Sequence, residues 1–130
     1  MKDLLGRGRR SFFLVCMRIL DERGAVIAEN VEVARSFAAR LIGLMGRRSL
    51  PSGFALVIPA CRQVHTFFMR FPIDVLFLDA DNRVICLENG IKPHRVTGYC
   101  RGAACAVEFP AGTASEHGLR TGDRIVMSEA

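Results

Sequence analysis

The stretch "IDVLFLDADNRVICL", residues 73–87, decides the fold. Ile73 to Leu78 is an apolar run of strand length, broken by one charge, Asp74. "DADN" (79–82) has the composition of a tight turn, and Arg83 to Leu87 returns as a second apolar run. Two such runs about a short turn read as a β-hairpin whose first arm is a core strand. Upstream, Pro72 ends a strand expected over Val64 to Met69, and Pro59 ends a shorter one over Ala55 to Ile58. Before the "LPSGF" turn (50–54) the period changes. Phe37, Leu41, Leu44 and Met45 recur at helical spacing, which predicts an amphipathic helix over 36–45 with Ser36 as N-cap and Gly46 as stop. Phe12 to Leu20, the "DERG" turn (21–24) and Ala25 to Val33 make a second hairpin. Downstream, 88–103 reads as irregular, Cys105 to Phe109 as a strand, Thr113 to His117 as a helical turn and Arg124 to Met127 as a last strand.

These elements predict a mainly β (β-rich α+β) fold. The expected form is a small closed or nearly closed β-barrel of six to eight strands, with one amphipathic helix and a short C-terminal helical turn. A helix-capped β-sandwich is the alternative. The 130 residues, half of them apolar and 24% charged, suit a single domain over 1–130 that holds its core without staples. Twelve glycines and five prolines spread along the chain favour many short elements, and no repeat or linker divides it.

The net charge is +5, and 16 of the 18 cations are Arg. They are scattered along the chain, with the densest group, Arg7, Arg9 and Arg10, in an N-terminus (1–10) expected to fray. A solvated surface is the expectation, and nucleic acid is not an expected partner. The five cysteines, Cys16, Cys61, Cys86, Cys100 and Cys105, are expected to be free thiols in a reducing cytoplasm. The apolar run Phe12 to Met17 is shorter than a signal-peptide core, and Phe54 to Cys61 is far shorter than a membrane span.

Chemistry concentrates in "CRQVHTFFMRFPIDVLFLD" (61–79), where His65, Thr66, Arg70 and Asp74 interrupt what would otherwise be core. A lone carboxylate in a strand as apolar as Ile73–Leu78 must be paired or hydrogen-bonded. Arg70, His65 or backbone N–H groups near the Pro72 bend are its candidate partners. Asp74 reads either as a brace of that bend or as a polar pocket floor.

Three segments carry a family resemblance: "LIGLMGRRSLPSGFALVIP" (41–59), "VHTFFMRFPIDVLFLDADNRVI" (64–85) and "AVEFPAGTASEHGLRTGDRI" (106–125). Together they resemble the prokaryotic family known as domain of unknown function 192, or uncharacterised protein family 0127, over about Val31 to Val126. The resemblance implies a compact β-rich domain and no agreed activity. Many members look exported or lipid-anchored; this N-terminus does not. The family's central block reads more like W-M-K-N-T, where this chain has Phe68-Met69-Arg70-Phe71-Pro72. A ligand contact through that amide and hydroxyl is not expected here. The segment 110–125 also looks like one found in double-psi and related β-barrels, with Gly118 and Gly122 at its turns and Leu119 plugging the barrel end.

Other chemistries find less support. Cys61, His65, His94 and Cys100 lack the paired spacing that nucleates a zinc site, so no metal is expected. No nucleophile elbow accompanies Cys61, Thr66 or Cys100, and "GRGRR" (6–10) precedes a strand instead of joining strand to helix, as a phosphate loop must. Arg62, Arg70, Arg95 and Arg101 are candidate anion contacts. Met45 and Met69, with Phe37, Phe67 and Phe68, could line an apolar groove, though at helical and strand spacing such residues are more often plain core.

The expectation is a non-enzymatic ligand-binding or accessory module without a cofactor. Its candidate site is His65, Thr66, Met69, Arg70 and Asp74, and its ligand a small molecule or peptide. A hydrolase-like enzyme using His65 and Asp74 is the alternative.

Overall fold

The computed structural model describes residues 12–15 and 17–129. The expectations for 1–10 and Cys16 lie outside the described residues. Among these residues nine strands form two sheets, in the order β1 (Phe12–Val15), β2 (Met17–Leu20), β3 (Val26–Ala28), β4 (Asn30–Ala34), β5 (Phe54–Pro59), β6 (Ile73–Leu78), β7 (Val84–Ile91), β8 (Cys105–Pro110) and β9 (Val126–Glu129). Among the described residues there are also two short helices, α1 (Phe37–Ile42) and α2 (Thr113–Glu116). The larger sheet runs β1-β4-β5-β8-β6-β7 and the smaller β3-β2-β9. β4 and β5 pair in parallel, and the other ladders are antiparallel.

The fold is mainly β, as expected, but the sheets do not close into a barrel. The N-terminal hairpin shows why. Its arms pair as anticipated, Ile19 with Ala28 and Phe13 with Val33, yet each arm divides between the sheets. The N–H groups of Glu29 and Asn30 both turn to the Gly53 carbonyl, which bends the second arm out of one sheet and into the other. The smaller sheet therefore covers one face of the larger instead of extending it around a barrel.

Alternation sets two cores. Leu76 and Leu78 of β6 join Val31, Val57, Val107 and Phe109, and Ile19 and Ile27 from the smaller sheet complete this layer. Ile73, Val75 and Phe77 point the other way, with Leu56, Ile58 and Ala106, beneath Ala39 and Leu44 at α1 and Val64 and Met69 of the following loop. β6 is buried at every position, as its apolar run predicted. Its hairpin to β7 turns at 79–83. Asp79 Oδ1 accepts the Asp81 and Arg83 N–H groups there, and Asn82 adopts φ 62°, a left-handed conformation that Asn tolerates.

Three local expectations are corrected. Ser36 does cap α1, its Oγ accepting the Ala39 N–H at 2.9 Å, but the helix stops at Gly43 (φ 51°) and not Gly46. Leu41 consequently faces solvent, 53% exposed. Val64–Met69 is not a strand: only His65 bridges, to Val96, and the Met69 N–H turns back to the Thr66 carbonyl. Cys86 and Cys100 form a disulfide, while Cys61 and Cys105 are free.

Candidate functional site

Asp74 lies 1% exposed, on the face of β6 covered by the smaller sheet. Its Oδ1 accepts the Gly90 N–H at 2.8 Å; its Oδ2 accepts those of Gly112 and Ala114 at 3.0 and 2.9 Å. One carboxylate thereby ties the end of β7 and the start of α2 to β6. Three charge-assisted bonds meet the requirement that a buried charge be satisfied, and they occupy both oxygens.

The other four candidates lie across the sheet. The His65 ring is held at both nitrogens. A carbonyl can only accept and a backbone N–H only donate, so Nε2 donates to the Leu41 carbonyl (2.8 Å) and Nδ1 accepts from Phe67 (3.1 Å). The ring also stacks on Phe67 with centroids 5.4 Å apart. Thr66 is fully buried; its hydroxyl donates to the Lys92 carbonyl at 2.6 Å and accepts the Arg95 N–H at 2.9 Å, clasping the 92–97 loop. Met69 packs in the second core and Arg70 is exposed. Asp74 and His65 thus occupy opposite faces, and no dyad joins them. The His65 partners are backbone groups, the Leu41 carbonyl and the Phe67 N–H.

His65 instead organises a surface. Beside it, Arg40 and Leu41 of α1, Cys61, Arg62 and Gln63 of the segment after β5, and Tyr99 line a cleft of about 390 Å³. Arg40 Nη1 donates to the Arg35 carbonyl and Arg62 Nε to that of Ala103, so each guanidinium is held from behind. Among the described residues the ion pairs are Arg23–Asp21 and Arg47–Glu32, and neither cleft arginine takes part in one. Gln63 Nε2 donates to the Thr97 carbonyl, and Cys61 Sγ to that of Gln63. Burial pushes the Cys61 thiol above its ordinary value, so at neutral pH it is protonated and a poor nucleophile.

Behind the cleft, Glu108 of β8 lies 2% exposed between Leu56 and Val75, in register with both. Burial pushes its carboxyl up to about 8 against the opposing charge of Arg47, so it is largely neutral at pH 7. Its Oε1 has no hydrogen-bond partner among the described residues. The carboxyl lies under the Gly43 turn, where a Cβ would come within 3.8 Å of Oε1.

Among the described residues no three His, Cys, Asp or Glu side chains are placed to hold an ion. Cys100 is in the disulfide, and His94 Nδ1 accepts the Phe68 N–H at 3.3 Å.

Arg62 and the Phe67–Phe68 pair were legible in the sequence. Arg40, Leu41, Gln63 and Tyr99 were not, because they meet only through the early end of α1 and the path of the 92–104 loop. Glu108 carried the same signal as Asp74, a lone carboxylate inside the apolar "CAVEFP".

A family model described as "Uncharacterized ACR", domain of unknown function 192, matches residues 18–127. Among curated relatives, the UPF0127 protein of Pyrococcus furiosus is 34% identical over 106 residues, covering 79% of this chain and 90% of that one. The UPF0127 protein of Thermococcus sibiricus is 30% identical over 113 residues, covering 84% and 73%. Two crystal structures share the fold. A protein of unknown function from Novosphingobium aromaticivorans has TM-score 0.73 at 21% identity, covering 85% of this chain and 82% of that one. A Sinorhizobium meliloti protein, described as a candidate transcription regulator, has TM-score 0.75 at 24% identity, covering 85% and 91%. No helix among the described residues is long and apolar enough to cross a membrane. The match over nearly the whole chain and the identity to full-length relatives place it: this protein belongs to the uncharacterised family named domain of unknown function 192.

Proposed function

We propose that the protein is a non-catalytic binding module whose cleft takes an anionic group, carboxylate or phosphate, carried on an apolar body. One observation carries the reading. Arg40 and Arg62 line the same cleft, each held from behind by a carbonyl, and neither pairs with a carboxylate among the described residues. Guanidiniums so held are oriented before a ligand arrives and keep donors free for it. Leu41 and Tyr99 supply the apolar walls. Within residues 65–74, His65 fixes the α1 wall and Thr66 the opposite loop, Met69 supports them from the core, and Arg70 stands exposed on the same loop. Asp74 braces the scaffold from the far face. A protonated Cys61 and a His65 engaged at both nitrogens favour binding over hydrolysis.

The test is a titration of ¹⁵N-labelled protein with hexanoate and with hexyl phosphate. Saturable shifts are expected at Leu41, Cys61, Gln63 and Tyr99, in the millimolar range usual for ligands of about ten heavy atoms. Arg40→Met and Arg62→Met should each weaken binding about tenfold, the loss of one charge-assisted contact. Shifts scattered over the surface, or unchanged in both variants, would exclude the cleft as the site.

A further inference from the structure

The cleft opens onto a larger surface that neither the core nor the fold requires. Six large apolar side chains stand exposed around it: Leu41, Ile42, Phe67, Phe68, Val96 and Tyr99. His65 joins them into one face, since its ring bonds the Leu41 carbonyl and stacks on Phe67 while its backbone bridges Val96. Phe68, 67% exposed, packs edge-on against His94. It also holds φ 63°, a conformation costly for a bulky residue and typical of sites where geometry serves a purpose. A contiguous apolar face with a polar rim marks an interaction site more often than chance exposure.

The charge of this face is predominantly positive. The segments that build it, 37–42, 60–70 and 92–101, contain Arg40, Arg62, Arg70, Lys92, Arg95 and Arg101, and no Asp or Glu. Arg40 and Arg62 meet at the cleft, and the carboxylate that reaches these segments is Glu88 of β7, whose Oε2 accepts the Gly98 N–H at 2.9 Å. Cations that look scattered along the sequence are brought together by the pairing of the 62–66 and 95–100 loops, Thr97 N–H to Val64 carbonyl and Cys100 N–H to Arg62 carbonyl.

We infer that this face docks a peptide segment of a partner protein, one with apolar anchor residues flanked by carboxylates. This rests on the cleft reading above: one carboxylate of the segment enters between Arg40 and Arg62, and its apolar side chains lie over Leu41, Phe67, Phe68 and Val96. Charge complementarity selects the acidic flanks, and continuity of the cleft with the apolar face selects a ligand longer than a small molecule. The aliphatic half of the face, Leu41, Ile42 and Val96, offers no stacking platform to the bases of a single-stranded nucleic acid. Anionic groups seated in a concave cleft also fit a chain segment better than a flat bilayer surface.

The experiment is a selection from a displayed library of random dodecapeptides against the intact protein, followed by affinity measurement of the enriched peptides. Enrichment of sequences that combine leucine or aromatic anchors with Asp and Glu is expected. Affinity should fall at least tenfold in Phe67→Ser/Phe68→Asn. Both side chains are exposed, and Asn suits the φ of residue 68, so the melting temperature should hold. No enrichment, or enrichment without acidic residues, overturns the inference. So does binding to phosphatidylglycerol vesicles or a single-stranded oligonucleotide that the Phe67→Ser/Phe68→Asn change abolishes while no peptide binds. The Arg40→Met/Arg62→Met variant separates the two readings. If it alone loses the peptide, the cleft stands and the apolar docking face falls; if it keeps full affinity, the cleft reading itself fails.

Discussion

Asp74 and Glu108 are two buried carboxyls a few ångströms of strand apart, on neighbouring strands and opposite faces, and they are satisfied in opposite ways. Asp74 holds three backbone N–H groups. Asp74→Ala orphans all three and should cost about 3–5 kcal/mol, with Asp74→Asn costing less. The melting temperature should then drop by roughly 10 °C or more; a drop under a degree or two would mean the carboxylate braces nothing. Glu108 is held neutral by burial, its carboxyl up at about 8 against an ordinary value of 4.5. In the unfolded chain it loses its proton near that ordinary value, so between about 4.5 and 8 the unfolded state binds fewer protons than the folded one. Stability is therefore greatest at the acid end of this window, falls as pH rises through it and levels off above. The slope from this group is on the order of 1 kcal/mol per pH unit at most. Denaturant melts of the protein and of Glu108→Gln across pH 5–8 isolate it, and parallel pH profiles would show that Glu108 does not titrate in this range. The cost of a lone carboxylate was legible in the sequence for Asp74. The partner it found was not, because Gly90 and Gly112 reach it only once β7 and α2 are in place.

At the scale of elements, local chemistry predicted existence better than extent. The β6–β7 hairpin was legible because Asp79 and Asn82 specify its turn, and the Ser36 cap because a hydroxyl there serves the Ala39 N–H. The end of α1 was not, since Gly43 and Gly46 are both competent stops and the chain turns at Gly43, over the Glu108 carboxyl. The 60–70 and 92–104 loops are stabilised by each other, so neither carries a periodicity of its own. The disulfide is the strongest tie of the second loop: Cys100 binds it to Cys86 of β7, next to Tyr99 of the cleft wall. Closing a loop of this length, with 14 residues of separation, contributes about 3 kcal/mol. Thiol titration of the unreduced, denatured protein should leave Cys86 and Cys100 unreactive, and reductant should lower the unfolding free energy by that amount. Five reactive thiols without reductant would contradict the pairing.

The whole molecule is an open sheet with a different layer on each face, and that division sorts its parts. The smaller sheet and α2 seal one side, where Asp74 acts as a brace. Helix α1 and the two loops cover the other incompletely, leaving the cleft and its exposed aromatic rim. The mainly β character was legible from the strand runs and their turns. The open architecture was not, because nothing in the run Phe12 to Leu20 signals that its halves join different sheets. The cleft's cationic pair escaped the sequence for a related reason: Arg40 and Arg62 lie on different elements and meet only in the fold. The central claim, that Arg40 and Arg62 make this cleft an anion site, has a built-in reporter. Tyr99 is the chain's one tyrosine and the chain has no tryptophan, so intrinsic emission comes from the cleft wall. Titration with hexanoate should change that emission saturably, and the change should vanish in Arg40→Met/Arg62→Met with the melting temperature unaltered. A flat response, one that survives the double substitution, or an equal response to hexylammonium would contradict it.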